Sequence, residues 1–133
     1  MYPVITKHFS ELSVREYHRI VQAREAVFFL EQHITEPDAD AADPQSVFMW
    51  MEDNARAVAL VGRVLVDVSY RRRGLCRSLM SEALRYIART WGPQPIRISA
   101  QEHLAGFYAT FGFAPVSGTY FEAGIPHVKM LRP

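Results

Sequence analysis

The sequence predicts an α+β fold, a mixed sheet covered by helices. Three observations carry that expectation. A stripe of apolar residues at helical spacing begins at Tyr17 behind a capping box. The apolar runs between Val47 and Val66 read as a meander of strands. The run Val64-Leu65-Val66 then leads through Arg71-Arg72-Arg73-Gly74 into a second amphipathic stretch ending near Thr90.

In chain order, Val4 to Phe9 reads as a short opening strand, ended by Ser10 and Glu11. Ser13-Val14-Arg15-Glu16 is the capping box, with Leu12 and Tyr17 placed as the hydrophobic staple that fixes the entry into the helix. Tyr17, Val21, Arg24 and Phe28 recur at helical spacing, and Val27, Phe29 and Leu30 broaden the stripe; Arg24 alone interrupts it. The acidic, proline-containing segment from Thr35 to Asp43 is expected to be a loop, followed by a strand at Val47–Met51 and a turn at Glu52-Asp53-Asn54.

Ala57–Leu60 and Gly62–Val66 read as two further strands with almost nothing between them. Typical strands need roughly 5–6 residues. A hairpin tip is therefore expected to be missing between Leu60 and Val61; the alternative is a genuine shortening. The helix from about Gly74 shows Leu75, Leu79, Ala83 and Ile87 on one face and stops at Gly92-Pro93. Ile96–Ala100 is expected as a buried strand, His103 to Phe111 as a short helix ended by Gly112, and Phe113–Val116 and His127–Leu131 as the closing strands.

Composition narrows the function classes. A chain of 133 residues with 49% hydrophobic content suits one compact domain over residues 1–133. Fifteen basic against 14 acidic residues, net +1, argue against a nucleic-acid-binding surface spread over the molecule. A single cysteine allows no intrachain disulfide and offers no zinc constellation, which fits a reducing cytoplasm. Met1-Tyr2-Pro3 starts no signal segment, and no apolar run nears the roughly 18 residues of a membrane helix, so a cytoplasmic protein without a membrane partner is expected. Asp38-x-Asp40 has a calcium-loop look but lacks the Gly and distal Glu of an EF-hand, so no metal is expected.

The chemistry concentrates after Val66. A strand that ends in a basic, Gly-containing turn and feeds a helix leaves backbone N–H groups unpaired at the helix start, and these favour an anion such as a phosphate. Three arginines strengthen the preference. A merely solvated basic turn is the bland alternative.

The stretch from Val66 to Met80 resembles the acyl-CoA-binding signature of the GCN5-related N-acetyltransferases, a Gln/Arg-x-x-Gly-x-Gly/Ala turn. Arg71 and Gly74 match it, and Cys76 stands where Gly or Ala is usual. Phe107-Tyr108-Ala109-Thr110-Phe111-Gly112-Phe113 resembles the family's Tyr-x-x-x-Gly-Phe segment, in the family's order. Arg24 to Gln32, Gln101-Glu102-His103-Leu104 and Gly124-Ile125-Pro126-His127 further resemble the ElaA-like acetyltransferases, although their usual Cys-Pro-Tyr segment is replaced here by Ile34-Thr35-Glu36.

The resemblance implies an acyl-CoA N-acyltransferase fold, with a central mixed, mostly antiparallel sheet flanked by helices, and direct transfer of acetyl from acetyl-CoA to a primary amine. Val64, Leu65 and Val66 would pair with the pantetheine arm as an added strand, and an N–H near Val66 would stabilise the oxyanion. Arg71, Arg72, Arg73, Gly74 and Cys76 would hold the diphosphate, with Gln101 also on the cofactor side. Tyr108 would protonate the departing thiolate, or else simply pack in the core. Glu31, Glu102, His103 and His127 are candidate bases; His127 is attractive because an ordinary histidine pKa near 6.5 suits base work, while a hydrogen-bonded histidine at a strand start is the bland alternative. Glu102 and His103 are expected to cap the short helix.

Arg24 is expected either to pair with an acidic-loop residue or to bind an acceptor carboxylate, the ion pair being the more ordinary. Cys76 is expected as a structural small residue; the alternative is a thiol whose pKa the helix N-terminus lowers, oxidisable when CoA is absent. The acidic residues from Glu36 to Asp43 would draw a cationic acceptor by long-range attraction. The acceptor is a small-molecule or peptide amine, and a homodimer through the last strands is open. A catalytically idle acyl-CoA sensor and a nucleic-acid binder are the competing classes.

Overall fold

The computed structural model describes residues 2–35, 38, 41–62 and 64–133. They form two compact units, Met1–Tyr86 and Ile87–Pro133.

In the first unit, β1 (Ile5–His8) and a 3-10 turn at Phe9–Glu11 precede helix α1 (Val14–Arg24). The Ser13 hydroxyl accepts from the Glu16 amide at 3.0 Å, and Glu16 Oε1 accepts from the Ser13 amide at 2.9 Å, so the expected capping box is formed. Lys7 Nζ reaches Glu16 Oε2 at 2.9 Å. The Ser13 backbone and Lys7 together hold the Glu16 carboxyl below its usual range.

The expected helix continues to Glu31, but Glu25–Glu31 is wound as a π-helix. An apolar stripe does not distinguish the two windings, because both keep residues one turn apart on one face. Val27 stays buried there, while Phe29 and Leu30 are exposed.

β2 (Val47–Asp53) and β3 (Arg56–Val61) make a hairpin around Asn54 and Ala55, whose φ values of 51° and 56° are those of a two-residue I′ turn. β4 (Leu65–Val66) completes an antiparallel sheet in the order β1-β2-β3-β4. Phe48 and Trp50 project to one face and cluster with Ile20, Val27 and Leu60. Met49 and Met51 project to the other and cluster with Leu75 and Leu79 of helix α2 (Leu75–Trp91). A register shift beside Met51 and Glu52 leaves Val58 without an opposite residue, so Val58 and Ala59 both join the α2 side. Full burial of a side chain such as Leu79 contributes about 1.5–3 kcal/mol.

The missing hairpin tip is not there. Leu60 and Val61 are successive residues of one strand, opposite Trp50 and Met49. The shortening is genuine: residues 62–64 connect β3 to a two-residue β4.

In the second unit, Gly92 (φ 75°) closes α2, its amide donating to the Ala88 carbonyl at 3.0 Å. β5 (Ile96–Gln101), a 3-10 turn at Glu102–Leu104, α3 (Ala105–Ala109), β6 (Ala114–Pro115), β7 (Tyr120–Glu122) and β8 (Ile125–Arg132) follow. β8 pairs antiparallel with β5, β6 and β7. β5 is not the buried strand expected: Arg97 and Ser99 are exposed and alternate with more buried neighbours, the pattern of an antiparallel strand with one solvated face. β7 went unforeseen. It turns into β8 through Ala123 and Gly124, both at positive φ (53° and 76°).

Candidate active site

In the first unit, Asp67 caps a 3-10 turn at Val68–Tyr70, its Oδ1 accepting from the Ser69 amide at 3.0 Å. Residues 71–74 then lead into α2. The Ser78 amide donates to the Gly74 carbonyl at 3.1 Å, and the amides of Leu75, Cys76 and Arg77 come before that first helical bond. No acidic side chain occupies the first turn of α2. Arg72 (φ 64°) and Gly74 (φ 74°) are both left-handed, and turns of this kind let successive amides line one anion-binding concavity. A Cβ at Gly74 would meet nothing within 4 Å, so glycine is needed there for its φ and not for space.

The three arginines differ. Arg71 Nη1 and Nη2 donate to the two oxygens of Glu31 at 2.7 and 2.6 Å, and its Nε donates to the Val66 carbonyl at 2.9 Å. Arg73 lies 5.1 Å above the Tyr70 ring and reaches the Ser69 carbonyl at 3.3 Å. Arg72 is exposed, with no ion pair among the described residues. The hydrogen bonds from Arg71 hold the Glu31 carboxyl below its usual range, and that pairing takes up both of its oxygens.

Cys76 is half-buried, and that burial pushes its thiol up to about 11, the Arg77 charge opposing only in part. Activation by the helix N-terminus is therefore reversed by desolvation.

Strand alternation fixes which way β4 faces. The Asp67 amide donates to the Val58 carbonyl of β3 at 2.8 Å, so residue 67 points toward β3 and residue 66 points the opposite way. β4 is the edge of its sheet, and Val66 presents its amide and carbonyl on that outer edge, the carbonyl being met by Arg71. Of the expected pantetheine-pairing residues, Leu65 and Val66 are in the strand, and Val64 lies in the turn before it.

Arg24 resolves in favour of the ion pair. Its Nη1 and Nη2 donate to Asp43, its Nε donates to Asp38 at 3.0 Å, and the Tyr17 hydroxyl donates to Asp43 Oδ2 at 2.6 Å. Burial opposes the Arg24 charge, but its bonds to Asp43 and Asp38 outweigh that and hold the guanidinium above its ordinary range. Two of the acidic charges expected to attract an amine are thus countered by Arg24. Glu36 and Asp40 lie outside the described residues.

In the second unit, Tyr108 sits on α3, 6% exposed, with its ring edge-on to Phe107 at 5.3 Å and Phe113 at 6.1 Å. The Tyr108 carbonyl accepts from the Phe111 amide at 2.9 Å, tying the aromatic segment into one turn. His127 is buried on β8, opposite Gln101 of β5. Its Nδ1 lies 2.7 Å from the Ile125 carbonyl; a carbonyl only accepts, so that nitrogen carries hydrogen. Its Nε2 lies 3.4 Å from Glu122 Oε2, which also accepts from Ser99 Oγ at 3.2 Å. Ser99 is hydrogen-bonded to the Tyr120 hydroxyl as well. Sequence reasoning missed Ser99, Tyr120 and Glu122 because it missed β7; the Ala-Gly pair between two strand-like runs was the available signal. Glu102 and His103 do not cap α3 with their side chains: Glu102 accepts instead from Thr119 Oγ1.

Among the described residues no group of three or more His, Cys, Asp or Glu is placed to hold a metal, and no helix is long and apolar enough to cross a membrane.

Residues 6–132 match the family model described as the acetyltransferase (GNAT) domain. The chain belongs to the GNAT acetyltransferase family. Within this family it is 36% identical to the protein ElaA of Escherichia coli strain K12, over 94% of this chain and 92% of that one. The crystal structure of E. coli ElaA matches with a TM-score of 0.92 at 33% identity, over 100% of both chains. That of an acyl-CoA N-acyltransferase from Pseudomonas aeruginosa matches with a TM-score of 0.91 at 28% identity, over 98% of this chain and 99% of that one. The acyl-CoA N-acyltransferase fold expected for this GNAT chain is therefore the one it has, with antiparallel sheets flanked by helices.

Proposed function

We propose that this chain is an acetyl-CoA-dependent N-acetyltransferase that moves an acetyl group to a primary amine by direct attack on the thioester. The observation that carries the reading is the turn at residues 71–77: two left-handed residues, exposed cationic side chains, and helix-start amides with no acidic side chain in the first turn of α2, within a GNAT domain. Such a turn suits a diphosphate. The amides of Gly74 to Cys76 bind it, Arg72 and Arg73 add charge, and the edge at residues 64–66 receives the pantetheine arm with Gln101 on the cofactor side.

The chemistry needs two proton movements. A primary ammonium, pKa about 10.4, has no lone pair and must lose a proton before its nitrogen attacks the carbonyl carbon. His127 takes that proton at Nε2, since Nδ1 is committed to Ile125. The Val66 N–H stabilises the oxygen as charge develops. When the carbon–sulfur bond breaks, the thiolate leaves with the electron pair and takes a proton from Tyr108. A phenol is a weaker acid than a thiol by about 1.5 units, so placement supplies the advantage, with an expected share of about 10²–10⁴-fold.

In this reading residues 1–133 act as one domain, supported by a family match that spans both compact units. The acceptor is a small-molecule or peptide amine, the reaction is cytoplasmic, and neither nucleic acid nor membrane takes part; a homodimer would form through the last strands. The aromatic packing of Tyr108 favours a second reading, an idle acyl-CoA sensor in which that ring only fills the core.

Thiol release from acetyl-CoA across an amine panel separates the two. The enzyme gives amine-dependent thiol, and Tyr108→Phe cuts turnover strongly while leaving coenzyme affinity nearly unchanged. Equal turnover in that variant removes the acid assignment. Coenzyme binding with no thiol above spontaneous hydrolysis favours the sensor.

A further inference from the structure

Arg71 is the residue of the turn whose guanidinium is most fully committed. All three of its nitrogens donate within the protein: Nε to the Val66 carbonyl at 2.9 Å, Nη1 and Nη2 to Glu31 at 2.7 and 2.6 Å. The last two form the planar, two-pronged geometry in which an arginine binds a carboxylate most strongly. An arginine poised for phosphate would instead present that fork outward.

The partners lie in different elements. Glu31 is the last residue of the π-helical segment, forty positions earlier in the chain, and Val66 is the last residue of β4. β4 has only two residues in its ladder, and its connection from β3 is shortened, so main-chain pairing alone holds it weakly. The Asp67 amide on Val58 holds one side of the segment, and Arg71 on the Val66 carbonyl holds the other.

We infer that Arg71 is a positioning residue clasped by Glu31, fixing the end of β4 so that Val66 is presented to the thioester, and is not itself a ligand of the diphosphate. The inference rests on the proposed acetyl transfer and assigns to Glu31 a role distinct from proton abstraction. The charge of Arg71 is reinforced by Glu31, and that of Glu31 by Arg71, as expected of a pair that stays closed. Phosphate contact from side chains then falls to Arg72 and Arg73.

The test compares acetyl-CoA with acetyl-pantetheine, which carries the same thioester and arm but no diphosphate. Arg71→Lys and Glu31→Gln should each lower kcat/KM on the order of ten- to a hundredfold, the range expected for a misplaced reacting group, and by the same factor for both substrates. Restoring the pair in reversed order, Glu31→Arg with Arg71→Glu, should recover part of the loss. A loss confined to acetyl-CoA would make Arg71 a phosphate ligand and overturn the inference, as would tighter coenzyme binding by Glu31→Gln, because that would mean the carboxylate merely competes with phosphate. A readout that needs no turnover runs in parallel: amide hydrogen exchange at residues 65–67 of the free protein should speed up on Glu31→Gln. Unchanged exchange there overturns the clasp. If the wild-type chain turned over neither thioester, the proposed reaction would fail while the exchange measurement still decided the role of Glu31.

Discussion

Arg24 and Asp43 form a buried two-pronged ion pair, Nη1 to Oδ1 at 3.1 Å and Nη2 to Oδ2 at 2.9 Å, with side chains 2% and 8% exposed. It ties the end of α1 to the segment before β2. Removing one partner leaves the other charge desolvated, which costs about 3–5 kcal/mol in buried pairs. Asp43→Ala should fall in that range by urea denaturation, and Arg24→Met with Asp43→Leu should cost less than the sum of the single changes. A loss under about 1 kcal/mol for Asp43→Ala would contradict a buried, coupled pair.

Two positions in the turn should respond with opposite signs. Arg72 has a side chain at φ 64°, where an L-residue pays about 1–2 kcal/mol, so Arg72→Gly should raise the melting temperature slightly despite the added chain entropy of glycine. Coenzyme affinity should fall several-fold as an exposed cation is lost. Gly74→Ala should destabilise by about 1–2 kcal/mol, because its φ of 74° is strained for alanine although the space is open. Thermal unfolding and calorimetry on both variants check the pair of signs.

Cys76 should be slow toward alkylation at neutral pH. With its thiol raised to about 11 by burial, the rate with iodoacetamide should climb about tenfold per pH unit from 7 to 10. A rate that levels off below pH 9 would show an activated thiolate instead.

Glu16 sets an acid-side dependence. Its folded pKa lies below the ordinary 4.5, so the stability it contributes is fully present above 4.5 and is lost as pH falls through the folded value. Gln keeps the capping box, so Glu16→Gln removes only the charge and its pairing with Lys7. The variant should be less stable than wild type at pH 7 by about 0.2–1 kcal/mol, and the gap should close as the pH drops below 4.5. A gap that is constant from pH 7 to pH 3 would remove the carboxylate from the account.

What the sequence disclosed follows from how local each interaction is. The Ser13–Glu16 box and the Gly74 turn lie within a few residues, and both formed where the pattern placed them. The π winding after Arg24 was hidden because it shares its apolar face with an α-helix. The stretch from Ala57 to Val66 suggested a lost hairpin tip because two full strands were expected there, whereas β4 pairs with β3 through only two residues and needs less chain. The partners of Arg71 and Arg24 were invisible in identity, because Glu31 lies forty positions before Arg71 and Asp43 lies nineteen after Arg24. The cluster around His127 was lost with β7, although its turn residues stood in plain view.

Calorimetric titration with coenzyme A, and separately with pantetheine, tests the central claim most directly. Two charge-assisted hydrogen bonds from the turn are worth roughly 1.5–3 kcal/mol each, so coenzyme A should bind at least about a hundredfold more tightly than pantetheine. Equal affinity for the two, or no heat with coenzyme A, would contradict a diphosphate held at residues 71–77.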